Sequence, residues 1–206
     1  MRILGLTGGI ACGKSTVSAT LRALGARIID GDELSRRLTA PDGPALPLIR
    51  SAFGDDVFHA DGTLDRRALG AIVFADDGQR RRLNQILQPM ILRLIHDEIE
   101  LARSQRAAVC VLEMPLLYEE GLDRLCDAVW CVTVPEEIQI RRLMDRDGFT
   151  REEALGRIRS QMPTVEKAAR ADVRISTEGS MEETAEAVRL LWRSALGLFG
   201  GEEDVP

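Results

Sequence analysis

Hydrophobic residues along the chain form short continuous runs that alternate with stretches of helical periodicity. The runs of strand length cover residues 2–7, 26–30, 107–112 and 128–134, with a shorter candidate at 173–175. Helical patterns cover residues 14–24, 64–74, 77–87, 89–103, 136–147, 152–161 and 181–196. Apolar runs of this length are typical of strands that are buried on both faces of a parallel sheet. The alternation predicts an α/β fold with a parallel sheet flanked by helices.

The stretch from about 31 to 103 interrupts this alternation. It is too long for a crossover made of one helix, and Pro41, Pro44 and Pro47 break its first part. We therefore expect a helical insertion that carries a substrate pocket within one domain spanning residues 1–206. The core of that domain would comprise about 1–30, 104–140 and 165–198. The acidic tail, 199–206, is predicted to be disordered.

The composition of the chain disfavours some classes of partner and favours one cellular compartment. The chain has 33 Asp and Glu against 27 Lys and Arg, which disfavours nucleic acid as a partner. No apolar stretch approaches the roughly 20 residues of a membrane span, and the N-terminus lacks the long apolar run of a signal peptide. The four cysteines form no CxxC pair, which argues against a zinc site and fits a reducing cytoplasm. No exposed apolar stripe stands out, so the sequence leaves the oligomeric state open, with a monomer favoured.

A glycine-rich segment after the first strand carries the clearest chemical signal. It matches G-x-x-x-x-G-K-[ST] and, with the next residue, comprises Gly8, Gly9, Ile10, Ala11, Cys12, Gly13, Lys14, Ser15 and Thr16. Glycines let backbone N–H groups surround a phosphate chain, and the following helix adds its N-terminal donors. The lysine would reach the β- and γ-phosphates, and the Ser15 hydroxyl would bind Mg²⁺. The motif predicts binding of Mg·ATP and does not by itself distinguish kinases from other nucleotide-binding proteins.

Further residues favour a kinase over a regulatory GTPase. The chain has no N-K-x-D stretch that would select guanine. Asp30 and Asp32 follow the second strand, at the end where open α/β sheets bind ligands. Asp32 could accept the proton of an acceptor hydroxyl, or it could instead cap the next helix.

Two more sets of charged residues suit phosphoryl transfer. Glu113 follows a buried strand and could hold Mg²⁺ through water, or could pair with an arginine. Arg142 and Arg146 lie one turn apart on a charged helix, as expected of a small helical lid over 141–163 that neutralises the transferring phosphoryl group. A solvated helix face with Glu–Arg pairs is the alternative.

Six segments, in order, resemble the dephospho-coenzyme A kinase family. They are LTGGIACGKST (6–16), DGDELSR (30–36), GTLDRRAL (62–69), PLLYE (115–119), RLMDRD (142–147) and RIRSQ (157–161). The resemblance extends from Arg2 to about Leu196. It implies a P-loop kinase fold and ATP-dependent phosphorylation of the ribose 3′-hydroxyl of dephospho-coenzyme A.

The resemblance also implies residue roles. Asp32 would be the acceptor-side carboxylate, and the segment from Thr177 to Gly179 would run alongside the adenine of ATP. The other residues expected to contact the acceptor are Asp30, Thr63, Leu64, Arg66, Gln88, Pro115, Leu116 and Gln161. Gln88 and Thr177 stand where the family usually has His and Asn, respectively, and Gln88 is expected to contact substrate.

Two alternatives remain open at the level of sequence. One is another small-molecule P-loop kinase, acting on nucleoside monophosphates or shikimate. The other is a nucleotide-binding protein without catalytic activity, for which the run Arg80-Arg81-Arg82 would be the cue. A charge run of this kind is usually a solvated helix face.

Overall fold

The apolar runs form a five-stranded sheet with strand β1 (Arg2–Gly8) at its centre. The computed structural model describes residues 1–199, and the side chains of residues 1–194. The other strands are β2 (Arg27–Asp30), β3 (Val109–Glu113), β4 (Ala128–Thr133) and β5 (Val173–Ser176). Their order is β2-β3-β1-β4-β5, and β1 pairs in parallel with both β3 and β4. The predicted parallel sheet flanked by helices is confirmed.

The helices begin and end close to the predicted positions in most cases. They are α1 (Lys14–Ala23), α2 (Gly31–Leu38), α3 (Leu46–Phe53), α4 (Arg66–Ala75), α5 (Asp77–Ser104), α6 (Glu136–Asp147), α7 (Arg151–Arg159), α8 (Thr164–Arg170) and α9 (Met181–Phe199). Short 3₁₀ turns occur at Asp55–Val57 and Leu122–Leu125. Helix α8 was not predicted, because its seven residues are too few to show a helical period. Residues 200–206, nearly all of the predicted tail, lie outside the described part of the chain.

Helix α5 corrects the sequence prediction. The patterns at 77–87 and 89–103 form one helix that continues through Pro89. A proline inside a helix costs about 3 kcal/mol. However, Leu83, Leu87, Met90 and Leu94 pack against one hydrophobic cluster on both sides of the proline. These side chains are partly buried, so each contributes a fraction of the roughly 1.5–3 kcal/mol of full burial, and together they offset the local penalty.

The chain forms two compact units. The first comprises Met1–Ile29 and Ala102–Pro206, and the second comprises Asp30–Leu101. In the first unit, buried residues of β1, β3, β4 and β5 pack against α1 and α9, with Trp130 and Trp192 among them. In the second unit, Ile49, Val57 and Leu69 are the centre of a separate cluster. Among residues 1–199, no helix has both the length and the apolar character needed to cross a membrane.

Candidate active site

The glycine-rich loop connects the end of β1 at Gly8 to the start of α1 at Lys14. Gly13 is the N-terminal cap of α1 and has a φ of 85°, a left-handed conformation that favours glycine. The first N–H groups of a helix have no partner within the helix, and the helix dipole is positive at this end. The loop therefore leads into a local environment that stabilises an anion.

Gly8 and Gly9 of the loop lie close to neighbouring parts of the protein, where a Cβ atom would meet other atoms. A Cβ atom on Gly8 would lie 2.4 Å from the carbonyl oxygen of Val132 in β4. A Cβ atom on Gly9 would lie 2.4 Å from Oγ1 of Thr164, the first residue of α8. At Gly8 the clash is with backbone and φ is 149°, so this position requires glycine, whereas a side chain at Gly9 would have to displace the Thr164 hydroxyl. The loop is held close to β4 and α8.

Carbonyl oxygens of the loop accept hydrogen bonds from side chains. Lys14 Nζ donates to Gly8 O (3.0 Å) and Gly9 O (3.1 Å). Arg142 Nη1 donates to Ala11 O (3.1 Å), and Thr177 Oγ1 donates to Cys12 O (2.7 Å). Carbonyl oxygens would repel a phosphate if they faced it, and these donors engage four of them. This donor set fits a loop that binds phosphate through amide N–H groups.

Ala11 occupies the left-handed region with a φ of 58°. A residue with a Cβ atom is strained there by about 1–2 kcal/mol, whereas glycine is not. The hydrogen bond from Arg142 to the carbonyl of Ala11 helps to offset this strain. The sequence motif alone did not indicate that this position requires a left-handed backbone.

Cys12 is fully buried beneath the loop, as expected of a small residue that fills space. The buried side chain of Gln139 in α6 donates through Nε2 to Cys12 Sγ (2.8 Å) and to Thr164 Oγ1 (3.2 Å). Neither Gln139 nor Thr164 was singled out from the sequence. Each lies more than 120 positions from Cys12, so no local pattern indicates the contact.

Gln161 lies at the loop rather than at a separate surface. Its Oε1 accepts a hydrogen bond from the backbone N–H of Ile10 at 3.0 Å. The sequence predicts that Gln161 contacts the acceptor. The structure brings it to the phosphate loop.

The two predicted lid arginines have different surroundings. Arg142 is half-buried and joins the loop to the segment after β5, since its Nη2 donates to Thr177 O (2.7 Å). Arg146 is exposed and makes two hydrogen bonds with the carboxylate of Asp147, at 2.9 and 2.7 Å. These hydrogen bonds lower the pKa of Asp147. Arg142 thus already contacts the loop, whereas Arg146 would have to leave Asp147 to reach a phosphate.

Glu113 is the last residue of β3 and lies in register with Leu6 of the neighbouring strand. Ser15 is exposed in the first turn of α1. Within residues 1–199, no group of three or more His, Cys, Asp or Glu side chains could hold a metal ion by itself.

Pro115 and Leu116 follow β3 on the side opposite to β4 and β5. Pro115 O accepts hydrogen bonds from Thr7 Oγ1 (3.3 Å) and from Lys167 Nζ. Leu116 is half-buried. Thr177, at the end of β5, is 4% exposed, and Gly179 follows it in an exposed turn. The segments after β3 and β5 therefore lie on opposite sides of the β1 loop in the sheet order.

In the second unit, Asp30 caps helix α2. Its Oδ1 accepts from the N–H groups of Asp32 (2.9 Å) and Glu33 (3.2 Å). The alternative in which Asp32 is the cap is therefore wrong. Asp32 lies in the first turn and is exposed.

The other residues of this unit that the sequence predicts to contact the acceptor are held by local contacts. Arg66 donates to Thr39 Oγ1 at 2.7 Å, and Thr63 Oγ1 donates to Asp61 at 2.6 Å, which lowers the pKa of Asp61. Leu64 packs against the hydrophobic cluster of this unit. Gln88 is half-buried within α5.

The family model and the sequence relatives of this chain indicate the same family. The family model for dephospho-CoA kinase matches residues 2–183. A dephospho-CoA kinase of Symbiobacterium thermophilum is 48% identical, covering 98% of this chain and 84% of that protein. A dephospho-CoA kinase of Geobacter sulfurreducens is 46% identical, covering 93% and 98%, respectively.

Among solved structures, proteins with a similar fold include another dephospho-CoA kinase. TT1252 from Thermus thermophilus has a TM-score of 0.77 at 35% identity, covering 94% of this chain and 97% of that chain. Dephospho-CoA kinase from Campylobacter jejuni has a TM-score of 0.68 at 27% identity, covering 95% and 98%. A shikimate kinase from Aquifex aeolicus, at 18% identity and a TM-score of 0.51, shares the fold.

Proposed function

The chain belongs to the dephospho-CoA kinase family, and we propose that the residues around its phosphate loop carry out that family's reaction. The protein transfers the γ-phosphoryl group of ATP to dephospho-coenzyme A and so completes coenzyme A. The observation that carries this function is an intact phosphate loop in a chain of this family, with the carbonyls of Ala11 and Cys12 engaged by Arg142 and Thr177. The acceptor atom is the ribose 3′-hydroxyl.

On the ATP side, the loop 8–16 binds the phosphates through backbone N–H groups. Lys14 leaves the carbonyls of Gly8 and Gly9 for the β- and γ-phosphates, because an ammonium ion interacts more strongly with a phosphate than with a neutral carbonyl. Thr177 and Gly179, which follow β5, lie beside the adenine of ATP. Phosphoryl transfer needs mainly positioning and charge stabilisation, and these groups supply both.

On the acceptor side, Asp32 orients the 3′-hydroxyl and accepts its proton. Asp32 is exposed in the first turn of α2, whereas the carboxylate of Asp30 is directed to the backbone of that helix as its cap. The remaining residues proposed to contact the acceptor are Asp30, Thr63, Leu64, Arg66, Gln88, Pro115 and Leu116. We propose that segment 31–103 is the acceptor-side insertion of a single kinase domain.

Segment 141–163 acts as the lid in this proposal. Arg142 and Arg146 supply positive charge to the phosphoryl group in transfer. Gln161 belongs to the ATP side as well, because its Oε1 accepts the N–H of Ile10. Arg146 forms an ion pair with Asp147 in this structure. When the lid closes, Arg146 would exchange the carboxylate of Asp147 for a phosphate group of the substrate.

Mg²⁺ would be held by the hydroxyl of Ser15 and, through water, by Glu113. When bound, Mg²⁺ neutralises phosphate charge and orients the γ-phosphoryl group. Replacing Ser15 by alanine is expected to raise the Mg²⁺ concentration for half-maximal rate by about tenfold or more, since one direct ligand is lost. Titration of the rate with Mg²⁺ measures this, and Ser18→Ala in the same helix is the control. An unchanged Mg²⁺ requirement in Ser15→Ala would exclude Ser15 as a ligand.

We also infer a cytoplasmic, monomeric enzyme with no nucleic-acid or membrane partner. All four cysteines are free thiols in the structure, which fits a reducing compartment. Size-exclusion chromatography with light scattering tests the monomer, for which a mass near 22.7 kDa is expected.

A panel of acceptors tests the proposed function. We expect ADP release with dephospho-coenzyme A and at least about 100-fold lower kcat/KM with AMP, CMP or shikimate, because those acceptors lack the pantetheine part of the substrate. The shared fold with shikimate kinase makes shikimate a necessary member of the panel. Efficient turnover of any of the three, with little turnover of dephospho-coenzyme A, would refute the proposal.

A further inference from the structure

Helix α8 buries a complete lysine side chain in the first unit. Lys167 is 0% exposed and is among the largest fully buried side chains of residues 1–194. Removing an ammonium ion from water is costly, and an apolar residue of similar volume often serves stability equally well. The burial of Lys167 is therefore better explained by the groups that its ammonium ion binds than by a gain in the free energy of unfolding.

The Lys167 ammonium ion holds both ends of the segment Pro115–Glu119. It donates to Pro115 O and forms an ion pair with Glu119 Oε1 at 2.8 Å. Pro115 O also accepts from Thr7 Oγ1, in the strand that leads into the phosphate loop. Two donors thus fix this turn, which begins two residues after Glu113.

Glu119 extends the contact toward the lid. Its Oε1 accepts the backbone N–H of Met162 at 2.9 Å. The neighbouring residue, Gln161, accepts the N–H of Ile10 in the phosphate loop. One buried charge therefore connects the turn after β3 with the end of the lid segment, which in turn contacts the loop.

We propose that Lys167, through its ion pair with Glu119, is a positioning residue for the acceptor. It does not touch substrate, because it has no exposed surface. It fixes Pro115 and Leu116, which follow β3 on one side of β1, while the proposed adenine-side residue Thr177 follows the edge strand β5 on the other side of β1. The phosphate loop has direct contacts from Lys14, Arg142 and Thr177, and Lys167 reaches it only indirectly, through Glu119, Met162 and Gln161, so we expect a much smaller effect on ATP binding. This inference rests on the proposed function.

The test is Lys167→Met, which keeps the length of the side chain and removes its charge. We expect kcat/KM for dephospho-coenzyme A to fall fivefold or more, while the Kd for ATP changes less than threefold. Glu119→Gln should give the same split, and the double variant should lose little more than either single one, because both substitutions break one pair. Folded protein is quantified by circular dichroism, so that lost stability is not counted as lost activity.

Arg170→Met is the matched control. Arg170 is on the same helix and stacks over the Tyr118 ring at 4.1 Å, so it contacts the same segment from the exposed side. Its kcat/KM should stay within threefold of wild type. If Lys167→Met does not fold, Glu119→Gln decides, since the Glu119 side chain is 23% exposed and tolerates neutralisation.

A fall of less than fivefold in the folded variant, or an equal loss of ATP affinity, overturns the positioning role. Wild-type protein is assayed in parallel. If wild type does not phosphorylate dephospho-coenzyme A, the proposed function itself fails. If wild type is active and the variants match it, only the role of Lys167 and Glu119 fails.

Discussion

Replacing Lys14 by alanine is expected to lower kcat by about 10³-fold, which corresponds to about 4 kcal/mol of transition-state stabilisation. The Lys14 ammonium ion is the only lysine charge in the loop motif, and it donates to two neutral loop carbonyls at 3.0 and 3.1 Å. A phosphate attracts an ammonium ion more strongly than these carbonyls do, so we expect it to move to the phosphates when ATP binds. Steady-state kinetics with saturating ATP and dephospho-coenzyme A measure the effect.

Arg22→Ala is the control for Lys14→Ala. Arg22 lies in the last turn of the same helix and is exposed, so its removal changes the net charge equally without touching the loop. Its kcat should remain within about twofold of wild type, as expected for an exposed residue away from the site. The thermal unfolding midpoint of Lys14→Ala should stay close to that of wild type, because Lys14 is not part of the hydrophobic core. Retention of more than a tenth of wild-type kcat by Lys14→Ala would contradict its role.

Asp32→Asn is expected to lower kcat by about 10²–10⁴-fold, the usual range for loss of a general base. The KM for dephospho-coenzyme A should change much less, because the proton is transferred only as the reaction proceeds. Asparagine is nearly the same size as aspartate, and position 32 is exposed, so the helix should persist. Single-turnover kinetics separate the chemical step from product release.

Two neighbouring substitutions sharpen the test of Asp32. Glu33→Gln removes a carboxylate from the same turn of α2 and should leave kcat within about twofold. Asp30→Asn keeps the helix cap, because asparagine caps as well as aspartate. If Asp30→Asn loses more activity than Asp32→Asn, the base is Asp30 and the assignment of Asp32 is wrong.

Local sequence signals predicted the sheet and the phosphate loop well. The motif from Gly8 to Ser15 fixes the strand–loop–helix order because its chemistry requires it. Helix α6 begins at Glu136 and ends at Asp147 as predicted, since Pro135 precedes it and a left-handed Gly148 follows it. These signals lie within a few residues of the features that they specify.

Features that depend on distant partners were not predictable. Pro89 suggested a break, and only the packing of α5 against its cluster shows why the helix continues. The burial of Lys167 depends on Pro115 and Glu119, about 50 positions earlier, and no periodicity in a seven-residue helix indicates it. The contact between Gln161 and Ile10 joins residues that are 151 positions apart. A single sequence contains no local signal for such pairs.

The position of the new phosphate on the product distinguishes phosphorylation of the ribose 3′-hydroxyl from every other transfer. Wild-type protein is incubated with Mg·ATP and dephospho-coenzyme A, and the product is analysed by ³¹P and ¹H NMR together with mass spectrometry. We expect coenzyme A with one phosphate on the ribose 3′-oxygen and one ADP released per product formed. A phosphate on any other atom, or ADP release without a phosphorylated acceptor, would contradict this expectation.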